Sequence, residues 1–121
     1  MISGIGIDII ELDRINRAVN KKSHFINRIL TEKERKIYDS YKKTQRKLEF
    51  LAGRFAAKEA FAKATGTGIG KLSFQHIEIL HNDVGAPQIT VDGYRQEDIF
   101  LSISHSKQYA VAQVIITNGI K

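Results

Sequence analysis

QRKLEFLAGRFAAKEAFAKAT, residues 45–65, organises the rest of the chain around itself. Strong helix formers dominate it, and Gly66 follows at the point where such a helix would stop. At 100° per residue Leu48, Leu51, Ala52, Phe55 and Ala62 form one apolar stripe, while Phe50, Ala57 and Phe61 form a second on roughly the opposite side. A helix that is apolar on two sides has to be enclosed, so the spacing predicts a long central helix with other elements, or a partner subunit, around it. Glu59 falls near the centre of the first stripe, where an unpaired ionised carboxylate is costly to bury. An ion pair with Lys63, four residues on, or a place at the rim of the core would satisfy it.

Working outward, residues 2–10 read as a strand, because Ile5, Ile7 and Ile9 alternate with Gly4, Gly6 and Asp8 and so occupy the opposite face. Asp13 is a candidate N-cap for a short helix with Ile15, Ala18 and Val19 on one side and Arg14, Arg17 and Lys21 on another. Ser23 opens a further helical turn through Phe25, Ile26, Ile29 and Leu30. Thr31 and Glu34 have capping-box spacing, which predicts a helix from Glu32 towards Lys42. Beyond Gly66 the periodicity becomes strand-like: 77–80 and 88–91 bracket a turn, and 99–104 and 109–116 bracket Ser106-Lys107-Gln108. One early strand, then helices, then two hairpins is an α+β order of antiparallel strands against a long central helix, without the strand–helix alternation of a parallel sheet. No repeat, low-complexity tract or linker divides the chain, so residues 1–121 are expected to form a single domain.

The 121 residues contain no cysteine, which excludes a disulfide framework, a thiolate nucleophile and cysteine-ligated zinc. Any metal is then held by oxygen or imidazole. No apolar run approaches the ~18 residues of a membrane span, and the start of the chain has no charged region followed by an apolar stretch and cleavage site. A soluble, cytoplasmic protein is expected, with no membrane partner. The formal charge of +6 attracts anionic partners, whether nucleic acid, phosphorylated cofactor or acidic protein, and does not choose among them.

Asp8 poses the same question as Glu59, since an isoleucine-rich strand is a poor place for an acid and its glycine neighbours leave open space. A hard divalent cation answers both: magnesium favours oxygen ligands, often takes one or two protein carboxylates, and completes its octahedron with water and substrate phosphates. Periodicity permits this pairing without bringing the two side chains together. Gly4-Ile5-Gly6 lacks the third glycine of a dinucleotide fingerprint, and Gly66 to Gly70 lacks the Gly-Lys-Ser/Thr ending of a phosphate-binding loop. The backbone N–H groups of Thr67-Gly68-Ile69-Gly70 would still suit an anionic ligand, and ordinary loop geometry would explain the glycines as well. His105 ends an apolar strand, where a structural or a chemical role is open to it. No Gly-x-Ser-x-Gly elbow accompanies Ser104 or Ser106, which sets hydrolase chemistry aside. His24, His76 and His81 lack metal-binding spacing and are read as surface or hydrogen-bonding residues.

Three blocks resemble the holo-acyl-carrier-protein synthase family of small bacterial phosphopantetheinyl transferases: residues 4–15, from Gly4-Ile5-Gly6-Ile7-Asp8; residues 54–64, from Arg54-Phe55-Ala56-Ala57-Lys58-Glu59; and Ser102-Ile103-Ser104-His105-Ser106 with Tyr109-Ala110. Gly85-Ala86-Pro87 departs from the Gly-Lys-Pro of the family pattern, which puts a basic contact there in doubt. The resemblance implies the 4'-phosphopantetheinyl transferase-like fold and Mg2+-dependent transfer of phosphopantetheine from coenzyme A to a serine of acyl carrier protein, in fatty acid biosynthesis. It implies that Asp8 and Glu59 hold the metal. Catalytic roles then fall to Asp8, Glu59, Lys63 and His105, with Lys58 and Lys63 near the phosphate chain. Arg46, Lys47, Arg54 and His105 become candidates for the 3'-phosphate side of coenzyme A, with Gly66 among the cofactor contacts. It also implies a homotrimer with active sites at subunit interfaces. Arg14, Arg17 and Lys21 form an i, i+3, i+7 ridge, with Lys22 and Arg28 close by; this is either a solvated helix face or a dock for the acidic carrier protein.

Two other classes compete with this reading. The charge permits a small RNA-binding protein, but the expected strands carry no aromatic array for stacking bases. An adaptor domain in which Asp8 and Glu59 are simply paired with Lys63 or Lys58 would show no magnesium-dependent binding of coenzyme A.

Overall fold

The computed structural model describes residues 1–69 and 72–118. The chain runs β1 (Ile2–Glu11), α1 (Leu12–Lys21), α2 (Phe25–Ile29), α3 (Glu32–Ser40), α4 (Thr44–Thr65), β2 (Ile77–His81), β3 (Pro87–Val91), β4 (Ile99–His105) and β5 (Tyr109–Thr117), with 3-10 turns at Phe74–His76 and Gln96–Asp98. The strands form an antiparallel three-stranded sheet in the order β1-β5-β4 and a separate β2-β3 hairpin. This is the α+β arrangement read from the periodicities.

Helix α4 is enclosed as its two apolar stripes require: Leu51, Ala52, Ala57 and Phe61 are completely buried. It ends where Gly66 adopts a left-handed φ of 79° and donates its N–H to the Lys63 carbonyl. The sheet packs one face on α4, and the register places Gly6, Val114 and Leu101 in one row of that face, Asp8, Ala112 and Ile103 in the next, and Ile10, Ala110 and His105 in the third. Small residues at Gly6, Ala110 and Ala112 let the helix lie close. The isoleucines of β1 take the other face and are exposed: Ile5, Ile7 and Ile9 share it with Phe100.

Some boundaries differ from the sequence reading. Glu11, not Asp13, occupies the N-cap of α1, because the Leu12 N–H is taken by the Gln108 carbonyl at 2.8 Å and the helix starts two residues early. Asp13 lies in the first turn and pairs with Arg17 at 3.3 Å. The capping box of α3 forms as its spacing predicts, but the helix stops at Ser40 because Tyr41 turns extended (φ −75°, ψ 135°). Among the described residues no helix is long and apolar enough to cross a membrane.

Candidate active site

Strand β1 and helix α4 bring Asp8 and Glu59 to one place. Asp8 is on the helix-facing side of β1 because it is two residues from Gly6, and the Gly4 and Gly6 backbones press against the carbonyl side of Ala60 and Ala64, flanking Glu59 and Lys63. Lys63 bridges the two elements: its ammonium donates to the Ile7 carbonyl at 3.0 Å and to Asp8 Oδ1 at 3.1 Å. The lysine that could have paired with Glu59 along the helix therefore reaches across to Asp8. Burial pushes the Glu59 carboxyl above its ordinary range, the neighbouring Asp8 charge pushes it further, and Lys63 partly opposes both.

Asp8 and the half-buried Glu59, whose charge is made costly by burial and by its acidic neighbour, form an all-oxygen donor pair for a hard divalent cation, with one exposed lysine between β1 and α4. The described residues contain no cluster of three or more His, Cys, Asp or Glu, so such an ion would take its remaining ligands from water and phosphate, as magnesium does. The donor set therefore fits magnesium.

Glu59→Gln follows from the same electrostatics. A carboxyl whose folded pKa is raised stabilises the fold in its protonated form; that contribution is complete below the ordinary value of 4.5 and is lost as pH rises through the raised folded value. At neutral pH without divalent metal the amide is expected to raise the thermal midpoint by about 1–3 °C. Melting curves from pH 4 to 8 check this, and the difference should close as the solution is acidified.

A second concave region lies nearer the start of α4. A cavity of about 260 Å³ is lined by Tyr41, Arg46, Glu49, Phe50, Arg54, His81, Gly85, Pro87 and His105 among others. Arg54 is 4% exposed, stacks its guanidinium 4.2 Å from the Phe50 ring, and places Nη2 3.3 Å from His81 Nδ1; its Nε is buried without a partner. Burial lowers the pKa of Arg54, and burial together with Arg54 lowers that of His81. Arg46 stacks over Tyr41 at 5.1 Å, and His105 Nδ1 lies 3.8 Å from Glu49 Oε2. A partly enclosed guanidinium with a free donor, a second arginine and two imidazoles suit a phosphate.

The structure thus groups Asp8, Glu59 and Lys63 at one place and Arg46, Arg54 and His105 at another. Lys47 is turned away from the cavity, donating to the Tyr38 carbonyl at 3.0 Å and lying 4.7 Å from that ring's centre. Lys58 departs furthest from its expected place beside a phosphate chain: it is completely buried, and its ammonium is spent on Glu34 and two backbone carbonyls. An ammonium so enclosed cannot reach a ligand. The Gly66 N–H closes the helix and is not free for an anion; Gly70, of the same expected loop, lies outside the described residues. His81, read from the sequence as a surface or hydrogen-bonding residue, does hydrogen-bond, to Arg54; Glu49 has no sequence signal, because a helix-surface glutamate carries no pattern of its own. Arg14, Arg17, Lys21, Lys22 and Arg28 are all exposed and line two adjoining hollows that share Lys21 and Lys22.

Residues 4–114 match the family model of the 4'-phosphopantetheinyl transferase superfamily. The chain is 58% identical over 116 residues to the holo-[acyl-carrier-protein] synthase of Oceanobacillus iheyensis, covering 96% of this chain and 97% of the relative. It is 57% identical over 117 residues to that of Listeria innocua, with 96% and 98% covered. Among solved structures, the Bacillus anthracis holo-(acyl-carrier-protein) synthase in complex with CoA (3',5'-ADP) superposes with a TM-score of 0.87 at 53% identity, over 96% of each chain. The Helicobacter pylori holo-[acyl-carrier-protein] synthase in complex with coenzyme A gives 0.80 at 35% identity, over 93% and 99%. With the family model spanning nearly the whole chain and both acids of the candidate site inside it, this chain belongs to the 4'-phosphopantetheinyl transferase superfamily.

Proposed function

We propose that the chain transfers the 4'-phosphopantetheine arm of coenzyme A to a serine of apo acyl carrier protein, releasing adenosine 3',5'-bisphosphate, as a magnesium-dependent step of fatty acid biosynthesis. The observation that carries this reading is the meeting of Asp8, Glu59 and Lys63 at the β1–α4 contact, in a chain similar at more than half its positions to holo-[acyl-carrier-protein] synthases.

Asp8 and Glu59 would hold the metal. Magnesium, when bound, supplies charge neutralisation for the pyrophosphate and for the leaving phosphate. The chain's own residues do the rest. Lys63 faces the same acids and is the nearest cation for the pyrophosphate oxygens, while the cavity lined by Arg46, Arg54 and His105 receives the 3'-phosphate and fixes the nucleotide as leaving group. The carrier serine oxygen attacks the phosphorus on the pantetheine side, the bond from that phosphorus to the bridging oxygen breaks, and the electrons leave with the bisphosphate. Glu59 can accept the serine proton on a carboxylate oxygen that does not hold the metal. The test is mass spectrometry of an apo carrier protein incubated with coenzyme A and magnesium. A gain of one phosphopantetheine, lost with EDTA, supports the reading; no gain across several carrier proteins from a folded chain sinks it.

The exposed ridge of Arg14, Arg17, Lys21, Lys22 and Arg28 is the proposed dock for the acidic carrier protein. Its attraction is electrostatic and weakens with salt. Reversing two charges, Arg14→Glu with Lys21→Glu, is expected to raise the KM for the carrier by about tenfold or more at low salt. The KM for coenzyme A should not move, and steady-state kinetics in both substrates over a salt series check this. The outward face of Ile5, Ile7, Ile9 and Phe100 supports the expected homotrimer, because a contiguous apolar sheet face of this kind is suited to burial against another copy. Light scattering reads the assembly directly.

A further inference from the structure

Lys58 takes no part in the chemistry above, yet it immediately precedes Glu59 on α4. Its ammonium is completely buried and donates to Glu34 Oε1 at 2.5 Å, to the Ile29 carbonyl at 2.7 Å and to the Phe74 carbonyl at 3.1 Å, so all three of its N–H groups are used. Glu34 is equally buried. Its Oε1 also accepts the Thr31 N–H at 2.8 Å, and its Oε2 accepts the Ile79 N–H of β2 at 2.7 Å. The Thr31 hydroxyl in turn donates to Glu78 Oε2 at 2.6 Å. One ion pair therefore gathers the end of α2, the start of α3, the turn at Phe74 and strand β2 onto a single point of α4.

We infer that Lys58 and Glu34 are a positioning pair for the transferase site: by fixing the rotation of α4 about its axis, they hold Glu59 on the side of the helix that faces Asp8. The inference rests on the transferase reading and adds a role that the site geometry alone does not assign. Three considerations carry it. Dehydrating a buried ion pair costs several kcal/mol per ion, so its net contribution to stability is small, and what it supplies is directional geometry. The opposite side of α4 lies on Gly6, Ala110 and Ala112, small residues that set the helix–sheet distance, and the hydrogen bonds that cross there come from the exposed Lys63, so the buried directional contact is the one at Lys58. Finally, Lys58 and Glu59 are about 100° apart on the same turn, so a rotation of ~20° carries a carboxyl ~6 Å from the axis through about 2 Å. A displacement of that size is enough to cost about 10²-fold in rate.

The test is the double variant Lys58→Met with Glu34→Gln, which removes both buried charges at nearly constant volume. Four quantities are compared with wild type: the melting temperature, kcat, the KM for coenzyme A, and Mn2+ binding followed by electron paramagnetic resonance without substrates. The expected result is a folded protein whose thermal midpoint falls by about 10 °C or more, because the Ile29 and Phe74 carbonyls and one of the N–H groups that Glu34 accepts lose their partners, with a KM for coenzyme A within ~3-fold, kcat reduced about 10–100-fold and the half-saturating Mn2+ concentration raised about tenfold. A folded double variant with wild-type kcat and Mn2+ affinity overturns the inference. Should the double variant not fold, Glu34→Asp, which keeps both charges and shortens the acid by one methylene, is read for the same split, and its absence in that folded protein likewise overturns the inference. A wild-type protein that transfers nothing overturns the transferase reading instead, which the Mn2+ titration distinguishes because it needs no turnover.

Discussion

Asp8→Ala is expected to lower the rate of phosphopantetheine transfer by at least ~10²-fold while leaving the protein folded. The side chain is 16% exposed and its one recorded partner is the exposed Lys63, so its removal opens no core cavity and strands no buried donor. It also relieves Glu59, whose carboxyl is held up partly by the Asp8 charge, and this offsets loss of the exposed ion pair with Lys63, which is worth little. What disappears is half of the donor pair. Wild type should gain thermal stability when millimolar magnesium is added, because a ligand that binds only the folded state stabilises it by mass action; Asp8→Ala should show no gain. Asp8→Asn sharpens the test, since its amide oxygen can still accept from Lys63 but carries no charge for a cation. Wild-type turnover in either variant, or a magnesium-induced stabilisation equal to that of wild type, would remove Asp8 from the site.

How much of this was legible in the sequence depends on whether a feature is local. The length of α4, its enclosure, its stop at Gly66 and the capping box of Thr31 and Glu34 follow from spacings of three, four and seven residues, and the structure contains all of them. The two hairpins follow from period-two alternation. Alternation also separated the two faces of β1, but it does not say which face looks inward, and burying the isoleucines would have been the simple choice. The structure reverses it, because the glycine face is the one a helix can approach closely. Pairings between distant segments were invisible: Lys63 with Asp8 spans 55 residues and Lys58 with Glu34 spans 24. A lysine next to a glutamate in a helix looks like a second ligand-facing residue, yet a step of 100° sends the two to different environments. Family resemblance supplied the roles of Asp8 and Glu59, and for Lys58 it pointed to a phosphate where the structure has a buried anchor.

Among the described glycines, Gly6 is the one at which an added methyl group is expected to cost most. A Cβ built on Gly6 would lie 1.9 Å from the Ala60 carbonyl oxygen and 2.8 Å from the Ala64 nitrogen, and one on Gly4 would lie 2.1 Å from the Ala64 carbonyl oxygen. These obstacles are backbone atoms of a helix whose other side is fixed by buried contacts, so no rotamer change relieves the clash; the strand has to move. Overpacking of this kind costs about 3 kcal/mol or more, which lowers the thermal midpoint of a domain this size by roughly 10–15 °C. Gly66→Ala is the contrasting control. Nothing lies within 4 Å of its added Cβ, but its φ of +79° disfavours a side chain, so the cost there is about 1 kcal/mol and arises from conformation rather than contact. The two variants also differ in function. Asp8 is two residues from Gly6 on the same face, so a strand pushed off α4 takes Asp8 away from Glu59, and transfer should fall even at temperatures well below the lowered midpoint. Gly66→Ala, which leaves the β1–α4 contact untouched, should keep the Mn2+ affinity of wild type. A Gly6→Ala protein with wild-type stability and turnover would mean that β1 does not lie this close to α4, and the meeting of Asp8 with Glu59 would lose its structural basis.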